Sequence, residues 1–230
     1  MREEIVFQKS LKERTDEAVS ACNSSGAVDT GNRTELISGG GMRDINPENG
    51  RCDLMPLDIV SDIIGIANYI PKDVIIGYFE IAEHQAVGKI LNLVNDYIYR
   101  GNANALLESV VVFAIQNYAT KNITTDNFND VLSATLSSAI LDLSHRYREG
   151  AEKYAERNWE KGIPIKSFID SGVRHLLKWC RLDTDENHAS AFMWNMIGAV
   201  WTHAHKPECI GEMPFNVKTS RNENEVVGSN

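Results

Sequence analysis

The chain has 230 residues, 43% of them hydrophobic, enough to bury one sizeable core and better suited to one domain with trimmings than to two independent ones. Its 23 basic and 32 acidic side chains give a formal charge of −9 and a pI near 5.2, which argues against an extended nucleic-acid surface but leaves room for a small anion held through a metal ion. The opening MREEIVFQKSLKERT is charged throughout, no run approaches the roughly 18 apolar residues of a membrane span, and Cys22, Cys52, Cys180 and Cys209 form no C-x-x-C pair, so a cytoplasmic protein with reduced thiols and no membrane partner is expected.

Residues 16–50 are rich in Ser, Gly, Asn, Asp and Thr, with the run Ser38-Gly39-Gly40-Gly41, and predict irregular structure; residues 1–37 are set apart as a flexible N-terminal arm. From Pro56 the pattern turns helical, with Leu57, Val60, Ile63, Ile64 and Ala67 on one face and proline in a permitted first-turn position. Further helical stretches fall near 78–99, 103–118 and 127–157, separated by Pro71, Arg100-Gly101-Asn102 and Ile123-Thr124-Thr125-Asp126. The run Val110-Val111-Val112-Phe113 lies inside a helical period and reads as buried helix, not strand. Gly162-Ile163-Pro164 closes the next element, and 165–181 and 185–203 read as amphipathic helices with polar residues on one side. The polar residues 207–230 read as a flexible tail. An all-α bundle occupying 38–206 as a single domain is the prediction.

Chemistry concentrates between Glu149 and Asn195. His145, Glu149, Glu152, Lys153 and Glu156 follow one another at three or four residues and share a helical face. Carboxylates at i, i+3 can hold one Mg2+, a hard ion that keeps several waters; the same spacing also describes a solvated face laced with Glu and Lys. A second polar set, Asp183-Thr184-Asp185-Glu186-Asn187-His188, opens the last helix, where Asp183 or Asp185 could equally be an N-cap, and Asp185, His188 and Asn195 fall on one stripe. Asn195 stands in an apolar stretch where a buried amide needs a partner. Arg157, Lys161, Arg174 and Lys178 are cationic donors close by, with His175 beside Arg174; arginine can grip phosphate oxygens and Trp159 could stack on a base, although Arg174 and Lys178 also fit a solvated helix face.

Two blocks resemble the dATP/dGTP diphosphohydrolase N-terminal domain family, frequent in phages and related to the MazG-like all-α nucleotide pyrophosphohydrolases. The first is Ser38-Gly-Gly-Gly-Met-Arg43-Asp44 with Gly50-Arg51-Cys-Asp53-Leu54-Met-Pro56. The second runs from Glu149-Gly150-Ala151-Glu152-Lys153-Tyr154 through Arg157-Asn158-Trp159-Glu160-Lys161-Gly162, Arg174-His175 and Asp183-x-Asp185-Glu186-x-His188 to Trp194-Asn195. The resemblance implies a MazG-like helical bundle in which residues from about 65 to 140 are a helical insertion. It implies Mg2+-dependent hydrolysis of a purine (deoxy)nucleoside triphosphate between its phosphates, with Mn2+ as the alternative ion, in nucleotide-pool metabolism. Phage origin would place it in the host cytoplasm, and the related enzymes imply a homo-oligomer, dimer or tetramer.

Carried onto this sequence, the resemblance makes Glu149, Glu152, Lys153 and Asp185 catalytic, and Glu149, Glu152, Asp185 and His188 metal ligands. It makes Arg51, Asp53, Tyr154, Arg157, Asn158, Trp159, Lys161, Arg174, His175, Lys178 and Asn195 substrate-binding, with Arg51 and Asp53 docked beside the second block. Where related enzymes bring a second acidic pair as E-x-x-D, this chain has Asp185-x-x-His188. The competing expectation is a catalytically inactive module that binds a nucleotide, for example to sequester a signalling nucleotide, or binds a host protein.

Overall fold

Helical periodicity from Leu57 onward becomes a bundle of helices in a computed structural model that describes residues 33–35, 42–44, 49–120 and 122–216. The chain divides at Gly50 into two units. In the first, Arg33–Glu35 (β1) and Met42–Asp44 (β2) pair antiparallel with Arg33 opposite Asp44, a short ladder where irregular chain is predicted. The rest of the expected arm and residues 217–230 lie outside the described residues.

The second unit is all-α. Its helices are α1 (Leu57–Tyr69), α2 (Lys72–Glu80), α3 (Glu83–Arg100), α4 (Ala103–Tyr118), α5 (Phe128–Tyr154), α6 (Ile165–Cys180) and α7 (His188–His205). The predicted stretch 78–99 is two helices, because Ile81 turns extended and the Ala82 amide donates to the Gln85 side chain, starting α3 afresh without a glycine or proline to mark the break. Helix α4 is the hub: it packs against α1, α2, α3, α5 and α7, and Val110 to Ile115 are each at most 3% exposed. The β-branched run is helical here since helices cover it all round, and each large apolar side chain buried contributes about 1.5–3 kcal/mol.

Helices α6 and α7 lie close together at Gly172, where a Cβ would meet Met196 Cε at 2.2 Å and Asn195 Cβ at 3.2 Å, so the Met196 side chain would have to move aside. Polar links tie this pair to the hub. Trp179 Nε1 donates to Asn117 Oδ1 at 2.8 Å, and Asp142 accepts from both Tyr118 and Asn187. Where a flexible tail is expected, Pro207–Cys209 form a 3-10 turn, Met213 is 5% exposed, and Phe215 sets its ring edge-on to Tyr97. Packing therefore runs on to at least Phe215, because these apolar side chains still find core to cover. No helix among the described residues is long and apolar enough to cross a membrane.

His203 on α7 faces the Tyr97 hydroxyl through Nδ1 at 3.1 Å, and burial holds its pKa below the ordinary 6.5. A depressed imidazole means that the unfolded chain takes up the proton first, so stability present above pH 6.5 is lost as pH falls toward the depressed value. His203→Gln keeps an acceptor for Tyr97 without titrating; its melting temperature is expected to fall less than that of the parent chain between pH 6.5 and 5, and parallel curves would show that another group carries the loss.

Candidate active site

The C-terminal half of α5 presents Arg146, Glu149, Gly150 and Lys153 at i, i+3, i+4 and i+7, one face of the helix, and that face walls a cavity of about 530 Å3. Opposite it stand Ser171 and His175 from α6, Trp194 and Asn195 from α7, and Glu186 from the turn between them. Tyr154, Ala155, Arg157, Asn158 and Trp159 complete the rim where α5 ends. That end is strained: Ala155 has φ +94° and Arg157 φ +51°, conformations that cost an L-residue about 1–3 kcal/mol each and recur where a binding surface needs them.

Of the residues singled out in the sequence, Glu149, Lys153, Tyr154, Arg157, Asn158, Trp159, His175 and Asn195 meet at this cavity. Others stand outside its wall. Glu152, 69% exposed, turns away on α5 and pairs with Arg148 at 3.6 Å, while Glu149 pairs with Arg146 at 3.4 Å, so the i, i+3 carboxylates do not converge on one point. Lys161 is exposed, Arg174 is paired with Asp170, and Lys178 donates to Asp185 at 2.7 Å. Trp159 is 8% exposed and held in T-shaped contacts by Tyr147 and Trp201, a packed ring instead of a free stacking platform; its buried Nε1 finds no acceptor among the described residues. Tyr154, 58% exposed, is the freer aromatic.

Arg51 and Asp53 do dock on the end of α5, but outside the cavity. Gly50 lies so close to α5 that a Cβ would fall 2.7 Å from the Ser144 carbonyl carbon, and the Arg51 amide donates to the Ser144 carbonyl at 3.0 Å. Arg51 then pairs with Asp53 at 2.7 Å and Glu156 at 2.9 Å, and Arg157 donates to the Asp53 carbonyl at 2.7 Å. Hydrogen bonds from Arg51 hold the Asp53 carboxyl below its ordinary range. The segment fastens the rim, and through Leu54 it lines the cavity.

The stripe expected from Asp185, His188 and Asn195 does not form, because α7 begins at His188 and its N-cap is Asn187, whose side chain accepts from the Ser190 amide at 3.1 Å. Asp185 lies in the preceding turn, where hydrogen bonds from Lys178 and His188 lower its pKa to about 2. Glu186, part of the polar set in the sequence but given no role there, faces the cavity instead: Arg146 Nη2 donates to its Oε2 at 2.7 Å. Burial pushes the Glu186 carboxyl up, but Arg146, His175 and His188 together hold it below the ordinary value. Arg146 was missed too, although it precedes Gly150 by one helical turn and that spacing was legible.

His188, with a side chain 1% exposed, places Nε2 at 2.8 Å from Asp185 Oδ1 and Nδ1 at 3.1 Å from His175 Nδ1. Burial lowers the His175 pKa, partly offset by Glu186. Among the described residues two groups have donor atoms close enough to share a cation, His175/Glu186/His188 and Asp183/Asp185/His188; neither includes Glu149 or Glu152.

Residues 110–210 match the family model described as dATP/dGTP diphosphohydrolase, N-terminal. The resemblance read from the second block is thereby borne out over that segment, which contains every residue of the cavity wall except Leu54; the first block lies outside the match. Because the match starts at 110, the later part of the stretch expected as an insertion belongs to it, including the hub run of α4. No curated protein and no solved structure shows a significant match.

Gly150 sits inside α5 at the cavity, and among the described residues a Cβ there would meet nothing within 4 Å beyond its own helix. Helix propensity alone favours alanine by about 0.5–1 kcal/mol. Gly150→Ala is therefore expected to raise the melting temperature, measured by calorimetry, while a methyl at 150 narrows the cavity beside the α5 face. An unchanged or lower melting temperature would show that the helix is not free to accept a side chain at 150.

Proposed function

We propose that this chain hydrolyses a purine (deoxy)nucleoside triphosphate between its phosphates, with Mg2+, in nucleotide-pool metabolism of phage type. One observation carries the reading: the cavity has the volume of a nucleotide-sized ligand, and its charged wall lies wholly within the segment that matches a dATP/dGTP diphosphohydrolase family. Phosphoryl transfer asks of a protein mainly positioning and charge neutralisation. Lys153 and Arg157 supply cations at the rim, and Arg157 is held by the Asp53 carbonyl so that little side-chain freedom remains to be lost on binding. Glu149, the α5 carboxylate at the cavity, is the oxygen donor that fits Mg2+, which is commonly held by one or two carboxylates together with substrate phosphates and water. When bound, Mg2+ supplies charge neutralisation for the triphosphate. Assembly as a dimer or tetramer belongs to the same proposal, supported by Leu57 and Ile64, two large apolar side chains of α1 that are exposed two helical turns apart.

A second reading, nucleotide binding without turnover, is favoured by one observation: Glu149 and Glu152 each face an arginine and do not converge. The same assay separates the two. Purified protein with Mg2+ is expected to convert dATP or dGTP to a product that ion-exchange chromatography resolves, and Glu149→Gln to lower the rate by about 100-fold or more, the scale of removing one electrostatic contact to the reacting phosphates. Glu152→Gln is expected to retain turnover. Tight binding with no product from the parent chain would remove the hydrolase reading and leave the pocket.

A further inference from the structure

We propose that His175, Glu186 and His188 form a binding site for one divalent transition ion of the Zn2+ and Co2+ class, set in the cavity wall, with Asp185 as the residue that positions His188. The proposal stands on side-chain geometry and does not rest on the hydrolase reading. His175 Nδ1 lies 3.1 Å from His188 Nδ1 and 3.6 Å from Glu186 Oε1, and His188 Nδ1 lies 3.9 Å from the same Oε1. Three donors with those separations can share one ion at about 2.1 Å from each, the bond length of zinc to imidazole nitrogen or carboxylate oxygen.

Proton placement favours the same assignment. Asp185 receives Lys178 on Oδ2 and meets His188 Nε2 with Oδ1 at 2.8 Å, so its carboxylate accepts and His188 donates through Nε2. In the neutral ring the lone pair is then on Nδ1, the atom that faces His175 and Glu186. A histidine ligand whose other nitrogen is fixed by a carboxylate is the usual outer arrangement of a metal-bound imidazole. The nearby cations occupy outer oxygens: Arg146 takes Glu186 Oε2 and Lys178 takes Asp185 Oδ2, leaving Oε1 for the centre. Two imidazoles with one carboxylate select a borderline ion over Mg2+, which prefers oxygen. Since His175 and Glu186 also line the cavity, the remaining coordination positions would open toward a bound ligand or water.

An N–H···N hydrogen bond between the two imidazoles fits the 3.1 Å separation equally well and is the alternative that the experiment must exclude. Chelator-treated full-length protein is titrated with CoCl2, without nucleotide, and visible absorbance is followed. One saturating equivalent is expected, with ligand-field bands displaced by Zn2+. His175→Ala, a part-exposed position at the cavity, is expected to lose the bands while remaining folded with a cooperative melting transition, whereas Asp185→Asn, which removes no ligand, weakens Co2+ binding by about 10–100-fold. No saturable Co2+ binding in the parent chain, or bands unchanged in both His175→Ala and Glu186→Gln, overturns the proposal. Because turnover of dATP or dGTP with Mg2+ is read separately, loss of the metal site with turnover intact sinks this inference alone, and Co2+ binding without turnover sinks only the hydrolase reading.

Discussion

The close packing of α6 on α7 through Gly172 is the contact on which the rest of the site depends. A side chain at 172 would have to displace the buried end of Met196 and press on Asn195 Cβ, disturbing the helix that carries the cavity residues. That approach sets His175 of α6 against His188 of α7 and holds Asn195 at the cavity, its amide fastened to the Ala191 carbonyl at 2.8 Å. Helix α7 is in turn buried along almost its whole length, so it has little freedom to shift once α4, α5 and α6 surround it. A polar constellation is thus held by apolar packing.

Ion pairs at the cavity act mainly on orientation. Exposed pairs such as Arg51 with Glu156 contribute only about 0.2–1 kcal/mol each, far less than the burial of α4. Their effect lies in where they leave atoms. Arg146 engages one oxygen of Glu186 and turns the other toward the two imidazoles, while Asp185, itself gripped by Lys178, fixes the proton of His188. In a chain of net charge −9, cations at the α5 face and at the strained rim give the cavity a local balance that the overall composition hides.

Most of the helices were legible because their apolar residues recur with a helical period, and the face of Glu149 and Lys153 followed from spacing alone. Legibility failed where a local rule met a tertiary partner. Asp185 looked like the first residue of a helix, yet Lys178 and His188 bind its carboxylate in the turn and Asn187 makes the cap. Trp159 looked free to stack, but Tyr147 and Trp201 enclose it. The break at Ile81 had no glycine or proline to announce it.

By itself the sequence determined the helical class, the burial of the Val110 run and the concentration of chemistry between Glu149 and Asn195, since periodicity and residue type are local properties carried by the chain. Tertiary structure decided which of those polar groups share a space. Glu152 and Glu149 are one turn apart on one helix, yet only Glu149 lines the cavity; Arg51 and Glu156 are 105 residues apart and form an ion pair. Such choices depend on how far helices can approach and on which partner reaches a carboxylate first, and both are fixed by packing between elements distant in sequence, which no local spacing encodes.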